Sequence, residues 1–215
     1  MGNGFCFMRK IFYLFISSLV LLVTLIGCQS PVDHTVRGAF LLNEGKFDEA
    51  ISELSEAIKL SPDSMSPYSY RGLAYYRKGN YDLALKDFNK AIEINPELEL
   101  NHYYRGEIFQ QIGNNAEAIA DYTKVIELKP KSVNSYKNRG KIYYDQGQYD
   151  QALLDFNKAI ELNIVDATIY SLRADAFIAK GQIQLAITDL KKVIQLTHEA
   201  ALIDNAKDRL KSLGQ

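Results

Sequence analysis

Residues 66–96 read SPYSYRGLAYYRKGNYDLALKDFNKAIEINP, and their spacing decides the fold. Apolar and small residues recur three and four apart, at Tyr68, Gly72 and Tyr75 and again at Ala84, Leu85, Phe88, Ala91 and Ile92. This is the period of a helix surface; a strand would alternate. Gly79 divides the stretch where a first helix should end, because glycine takes the left-handed conformation there at little cost. Pro96 stops a second helix. Gly72, Ala84 and Ala91 are small where two helices must approach closely, and Tyr75 and Phe88 are large enough to fill the space between them. The stretch is a helix–turn–helix hairpin.

The hairpin is written five times. Gly45, Gly79, Gly113, Gly147 and Gly181 stand 34 residues apart without insertion. Ala50, Ala84, Ala118, Ala152 and Ala186 keep the same period, as do Ile58, Ile92, Ile126, Ile160 and Ile194. Arg37, Arg71, Arg105, Arg139 and Arg173 form a fourth series. Such a period is the signature of a solenoid in which each unit buries its apolar face on the next.

The pattern resembles the tetratricopeptide repeat, over residues 31–200. The resemblance implies an all-α, right-handed α-solenoid with units at 31–64, 65–98, 99–132, 133–166 and 167–200. The small residue of the first helix is Gly38, Gly72, Gly106 and Gly140, but Ala174 in the fifth unit. The closing proline is Pro62, Pro96 and Pro130, replaced later by Ile164 and His198. The fifth unit also has Ile183 for the turn aromatic and Leu190 for the aromatic of its second helix. In residues 201–215, Leu202, Ala206, Leu210 and Leu213 make an apolar stripe ringed by Asp204, Lys207, Asp208 and Lys211. That is the pattern of a capping helix.

Each arginine of the series has an acid 16 residues later: Glu53, Asp87, Asp121, Asp155 and Asp189. In a hairpin these positions lie at similar heights from the turn. Arg71–Asp87, Arg105–Asp121 and Arg139–Asp155 are therefore expected to be structural ion pairs, within or between units, that fix register.

The front of the chain is of another kind. Arg9 and Lys10 are the only charges in residues 1–27, and IFYLFISSLVLLVTLIG (11–27) has none. This is the layout of an export signal, with its basic end on the cytoplasmic side. Leu25, Ile26, Gly27 and Cys28 resemble the lipobox of bacterial lipoproteins. The resemblance implies cleavage after a 1–27 signal peptide, lipidation of Cys28 and a short linker over 28–30. Two or three acyl chains hold a protein durably on a bilayer. Gln29 stands where an aspartate would favour retention in the inner membrane. The expected location is the bacterial cell envelope, on the periplasmic side of the outer membrane or the outer face of the inner one. An uncleaved span and an ordinary secretory signal with an incidental cysteine are the alternatives.

Beyond residue 27 the chain holds 23 of its 25 basic residues and all 26 acidic ones, so no positive field marks it for nucleic acid. Cys6 and Cys28 are the only cysteines, which excludes a thiolate metal site in the body. His34 and His102 share one repeat position with Tyr68 and Tyr136, and His198 is remote from both. No phosphate loop or zinc-binding helix motif is present. The sequence therefore implies no catalytic residue, metal, cofactor or small-molecule substrate, and no enzyme.

In the repeat family the first helices line a concave groove that takes a peptide or a partner helix. Carried over, the groove positions are Ser66, Ser69, Leu73, Tyr76 and Arg77 in the second unit. They are Leu100, Tyr103, Glu107, Gln110 and Gln111 in the third, and Asn134, Lys137, Lys141, Tyr144 and Asp145 in the fourth. Tyrosines there offer stiff contact area with a polar tip. The two-carboxylate clamp of some family members is not matched: only the fourth unit brings Lys137, Asn138 and Lys141 together. The expected function is that of a membrane-anchored scaffold or adaptor holding a protein or peptide partner in this groove, with a holding chaperone for exported proteins as the alternative.

Overall fold

The structure is a computed structural model that describes residues 30–215. Cys28 and the expected 1–27 signal peptide lie outside the described residues. Eleven helices follow in order among them: α1 (Pro31–Asn43), α2 (Phe47–Leu60), α3 (Met65–Arg77), α4 (Tyr81–Ile94), α5 (Glu99–Gln111), α6 (Asn115–Leu128), α7 (Val133–Asp145), α8 (Tyr149–Leu162), α9 (Ala167–Ala179), α10 (Ile183–Leu196) and α11 (Ala200–Ser212). The first ten form five antiparallel hairpins, and each hairpin packs on the next as an α-solenoid. No strand occurs among the described residues.

The turns follow from the glycines. Gly79 sits at φ 74° and donates to the Tyr76 carbonyl at 2.9 Å, while Asn80 N–H reaches the Tyr75 carbonyl at 2.9 Å. The last carbonyls of α3 are thus satisfied as the chain reverses. At the front, Ser30 and Asp33 cap α1 reciprocally, each side chain accepting from the other's backbone N–H at 3.1 and 3.0 Å. The first helix therefore starts at Pro31, directly after Ser30, so Gln29 alone stands between Cys28 and the cap.

The hairpins close by size matching. Phe88, Tyr122 and Phe156 are buried to 0–1 % exposure. Each lies against a glycine: a Cβ on Gly72 would stand 3.1 Å from the Phe88 ring, and one on Gly140 2.9 Å from that of Phe156. The fifth unit exchanges both partners at once. Ala174 replaces the glycine and Leu190 the aromatic, both fully buried, so the pair conserves volume. Tyr75 packs against the cluster of Ala84, Phe88 and Ile108. It is half-buried beside the Arg71 guanidinium, 5.9 Å from ring centroid to carbon.

α8 ends without the closing proline, and the asparagine turn after it is the one that also follows α4, where Pro96 is present. Asn163 Oδ1 accepts from Val165 N–H at 3.4 Å, as Asn95 Oδ1 accepts from Glu97 N–H at 3.0 Å ahead of α5. The two ends of the solenoid differ. Val36 and Phe40 on α1 stay exposed, whereas Ala74, Ile108, Ile142 and Ala176, the counterparts of Phe40, are buried against the preceding unit. At the other end α11 covers α10 with Ala206 and Leu210, joined by Leu202 and Leu213. Among the described residues no helix is long and apolar enough to cross a membrane.

Candidate functional site: the inner face of the solenoid

The first helices of the hairpins, α1, α3, α5, α7 and α9, carry two polar systems on different faces. The arginine series points into the hairpins. Arg71 donates from Nε and Nη2 to Asp87 at 2.7 and 2.8 Å, and Arg105 to Asp121 at 2.8 and 2.8 Å. Arg139 meets Asp155 at 2.8 and 2.8 Å, and Arg173 meets Asp189 at 2.7 and 2.8 Å. The carboxylates are 2–5 % exposed, so each is a desolvated anion held by a two-point fork. In the first unit Glu53 accepts from Arg37 at 3.2 Å and lies 2.7 Å from His34 Nδ1.

The ion pairs stay within a unit; a neutral group makes the link between units. Nη1 of Arg71, Arg105, Arg139 and Arg173 donates to Ser55, Asn89, Thr123 and Asn157 of the preceding unit, at 2.9, 2.7, 2.8 and 2.7 Å. Aromatic rings flank the guanidinium: Tyr68 and Tyr75 for Arg71, Tyr136 and Tyr143 for Arg139, Tyr170 and Phe177 for Arg173. Around Arg105 a histidine replaces one ring. His102 is buried, with Nδ1 at 3.0 Å from Asp121 and Nε2 at 3.1 Å from the Pro96 carbonyl. Burial opposes ionisation of Asp121, but the hydrogen bonds from Arg105 and His102 outweigh it and hold its carboxyl below the ordinary range.

The second system lies on the inner face. Glu107 of α5 accepts two phenols: Tyr76 of α3 at 3.2 Å and Tyr103 at 2.8 Å. Tyr122 is buried with its hydroxyl on Gln110 at 2.8 Å, and Asn138 of α7 donates to that hydroxyl at 3.3 Å. Side chains from three successive hairpins are thereby joined. Rings pack alongside: Tyr76 and Tyr103 each lie 5.6 Å from Tyr104, and Tyr144 lies 5.6 Å from Tyr149. Burial, then the Glu107 charge, pushes the Tyr76 hydroxyl up to about 12, and Tyr103 shifts the same way for the same causes. These phenols stay donors at any working pH.

The other expected groove residues divide. Leu73 is half-buried between the first and second units and serves their packing. Arg77 is exposed, Lys137 is half-buried, and exposed Lys141 pairs with Asp145 at 2.7 Å. Leu100, Tyr103 and Asn134 share a cleft of about 430 Å³ that continues to Glu99, Lys129 and Asp166. A further residue completes the face at its far end: Arg209 of α11 donates to Ser171 at 3.0 Å and ion-pairs with Asp175. Ser171 and Asp175 occupy the fifth and ninth positions of their unit, and Arg209 follows Asp175 by one 34-residue period. That period was the signal for it. Burial raises the Asp175 carboxyl, and Arg209 only partly offsets this. Among the described residues no group of three or more His, Cys, Asp or Glu could hold a metal ion.

The chain is similar to several solved structures. The crystal structure of MamA matches with a TM-score of 0.73 and 21 % identity, over 80 % of this chain and 93 % of that one. MamA 41-end from Desulfovibrio magneticus RS-1 matches with a TM-score of 0.73 and 20 % identity, over 77 % and 94 %. YrrB, a tetratricopeptide-repeat protein with an unusual peptide-binding site, matches with a TM-score of 0.74 and 19 % identity, over 84 % and 93 %. At these identities the likeness is one of fold. A comparison with curated proteins finds no match. Tetratricopeptide-repeat family models match residues 67–98 and 133–163, 41–79 and 106–146, and 167–197, which together take in most of 41–197. With five such hairpins stacked at one period, the chain belongs to the tetratricopeptide-repeat family.

Proposed function

We propose that this protein is a non-catalytic scaffold that holds a protein or peptide partner on the inner face of its solenoid, anchored to the bacterial cell envelope by lipid on Cys28. The observation that carries the partner reading is the tyrosine–carboxylate surface on α3, α5 and α7. Tyr76, Tyr103 and Glu107 are half-buried and joined by hydrogen bonds across two hairpins, which presents a stiff, pre-organised surface to a ligand. YrrB, a protein of the same fold, has a peptide-binding site, which supports the choice of partner class.

The anchoring half rests on the sequence alone. Leu25–Ile26–Gly27–Cys28 ends an uncharged run, and Gln29 follows the cysteine. Two residues, Gln29 and Ser30, separate Cys28 from Pro31, a reach of roughly 10 Å over three Cα steps, so a lipidated chain would carry its repeats close to the bilayer. Cys28→Ser should release the protein from the membrane fraction, and the mass of the N-terminal peptide should report acylation of Cys28.

A photo-crosslinking residue at Tyr103, compared in cells with one at exposed Glu127 on α6, tests the partner reading. One discrete adduct from Tyr103 and none from Glu127 is the expected result. Adducts with many exported proteins would instead indicate a holding chaperone, and adducts from Glu127 alone would overturn the inner face as the working surface.

A further inference from the structure

We propose that Glu107, framed by Tyr76 and Tyr103, is a subsite for a cationic side chain, a lysine or arginine of the bound partner segment. This rests on the inner face being the partner surface. Glu107 is a half-buried carboxylate whose hydrogen-bond donors are both neutral phenols, at 3.2 and 2.8 Å. Among the described residues no cation stands within ion-pair distance of it. The Tyr76 and Tyr103 rings, each 5.6 Å from Tyr104, add π faces beside the charge. A carboxylate with aromatic walls in a partly dry groove suits an ammonium or guanidinium, through a charge-assisted hydrogen bond and cation–π contact.

The chain contains a filled site at the corresponding repeat positions. Glu107 follows Tyr76 by 31 residues, and Asp175 follows Tyr144 by 31. Both acids hold the ninth position of their unit. At Asp175 the site is occupied: Arg209 reaches in from α11, ion-pairs with the carboxylate and donates to Ser171 at 3.0 Å. Burial, then the Asp175 charge, raises the Tyr144 hydroxyl, and Arg209 opposes that rise. The residue one period after Glu107 is Lys141, but its ammonium turns along its own helix to Asp145 at 2.7 Å. Arg209 therefore shows, inside this protein, how a cation seats on an inner-face carboxylate, and Glu107 has the place without the occupant.

The test screens an array of short random-sequence peptides with the full chain, purified from membranes in mild detergent, as wild type, Glu107→Gln, Lys137→Ala and Glu127→Gln. Selected peptides should carry Lys or Arg at one fixed place. Replacing that residue by norleucine should cost about tenfold or more in affinity, Glu107→Gln should cost about as much, and the two losses should not add. Glu127→Gln should change nothing. Peptides selected without a cation, or cation-bearing peptides that bind Glu107→Gln as well as wild type while Lys137→Ala weakens them, would overturn the subsite and leave the inner-face reading intact. No peptide selected, or none sensitive to either inner-face substitution, would overturn both.

Discussion

The arginine series and the inner face are built from the same helices, two residues apart in the repeat, and treat charge in opposite ways. In the series every cation meets an anion: Arg71, Arg105, Arg139 and Arg173 each clamp a nearly buried aspartate of their own unit. On the inner face the ninth position reads Ala39, Leu73, Glu107, Lys141 and Asp175, a different chemistry in each unit. Glu107 is held by phenols, and Asp175 by an arginine from α11. The demand that repeats five times is the one every hairpin shares, which is closing on itself and on its neighbour. Where the repeat lets residue type vary, folding imposes no common requirement, and that freedom is what recognition needs.

The largest effect that would sharpen this contrast comes from the central pair. Asp121→Ala leaves Arg105 half-buried and His102 without its carboxylate, and should cost about 3–5 kcal/mol in chemical unfolding. A loss under about 1 kcal/mol would make the series surface decoration. The same group gives a pH signature. Its native pKa lies below the unfolded value, so its contribution is complete above the ordinary carboxyl range and is lost as pH falls through the lower native value. Asp175 has the opposite sign: its raised carboxyl means that protonation favours the fold as pH falls through the native value. Carbon-detected NMR titration should place Asp121 below 3.8 and Asp175 above it, and the reverse order would break the contrast.

Arg209→Ala comes next. It removes the cation that ion-pairs with Asp175, and should destabilise by about 1–2 kcal/mol, between the buried and exposed limits for ion pairs. Amide exchange should quicken in α11 and leave α5 and α6 unchanged. Asn89→Ala is smaller. It takes away the neutral acceptor that ties Arg105 to the preceding unit, and thermal unfolding should show a loss of about 0.5–1.5 kcal/mol.

Much of this was legible in the sequence because each position repeats its demand five times. The hairpin, the turn glycines and the small-to-large matching of Gly72 with Phe88 follow from period and size. The spacing of 16 between arginine and acid could be read because a hairpin brings those heights together. The second partner of each arginine could not. Ser55, Asn89, Thr123 and Asn157 share an oxygen but are three different residue types, and an oxygen acceptor is too common to stand out. Helix phase puts Leu73 on the inner face, but only packing shows it shared between two units. Arg209 was hidden because α11 reads as a cap by its apolar stripe, while its continuation of the 34-residue period on the inner face is carried by one residue. Residues 25–28 lie outside the described residues, so the lipobox reading stands on its motif.

The smallest expected effect separates the two systems most sharply. Glu107→Gln keeps the shape of the side chain and an oxygen that can accept from one phenol, while Tyr76 and Tyr103 retain their ring packing. No buried cation loses a partner, in contrast to Asp121→Ala. Unfolding free energy should therefore move by less than about 0.5 kcal/mol. The Tyr76 hydroxyl should titrate lower than the value of about 12 it has beside the charged acid, because one of the causes that raise it is the Glu107 charge. Ultraviolet titration of the tyrosines in wild type and variant reads that shift directly. A stable variant with a lowered tyrosine titration and weakened partner binding would place Glu107 on the recognition side of the comparison. A variant as destabilised as Asp121→Ala would mean that the inner-face network, too, belongs to the fold.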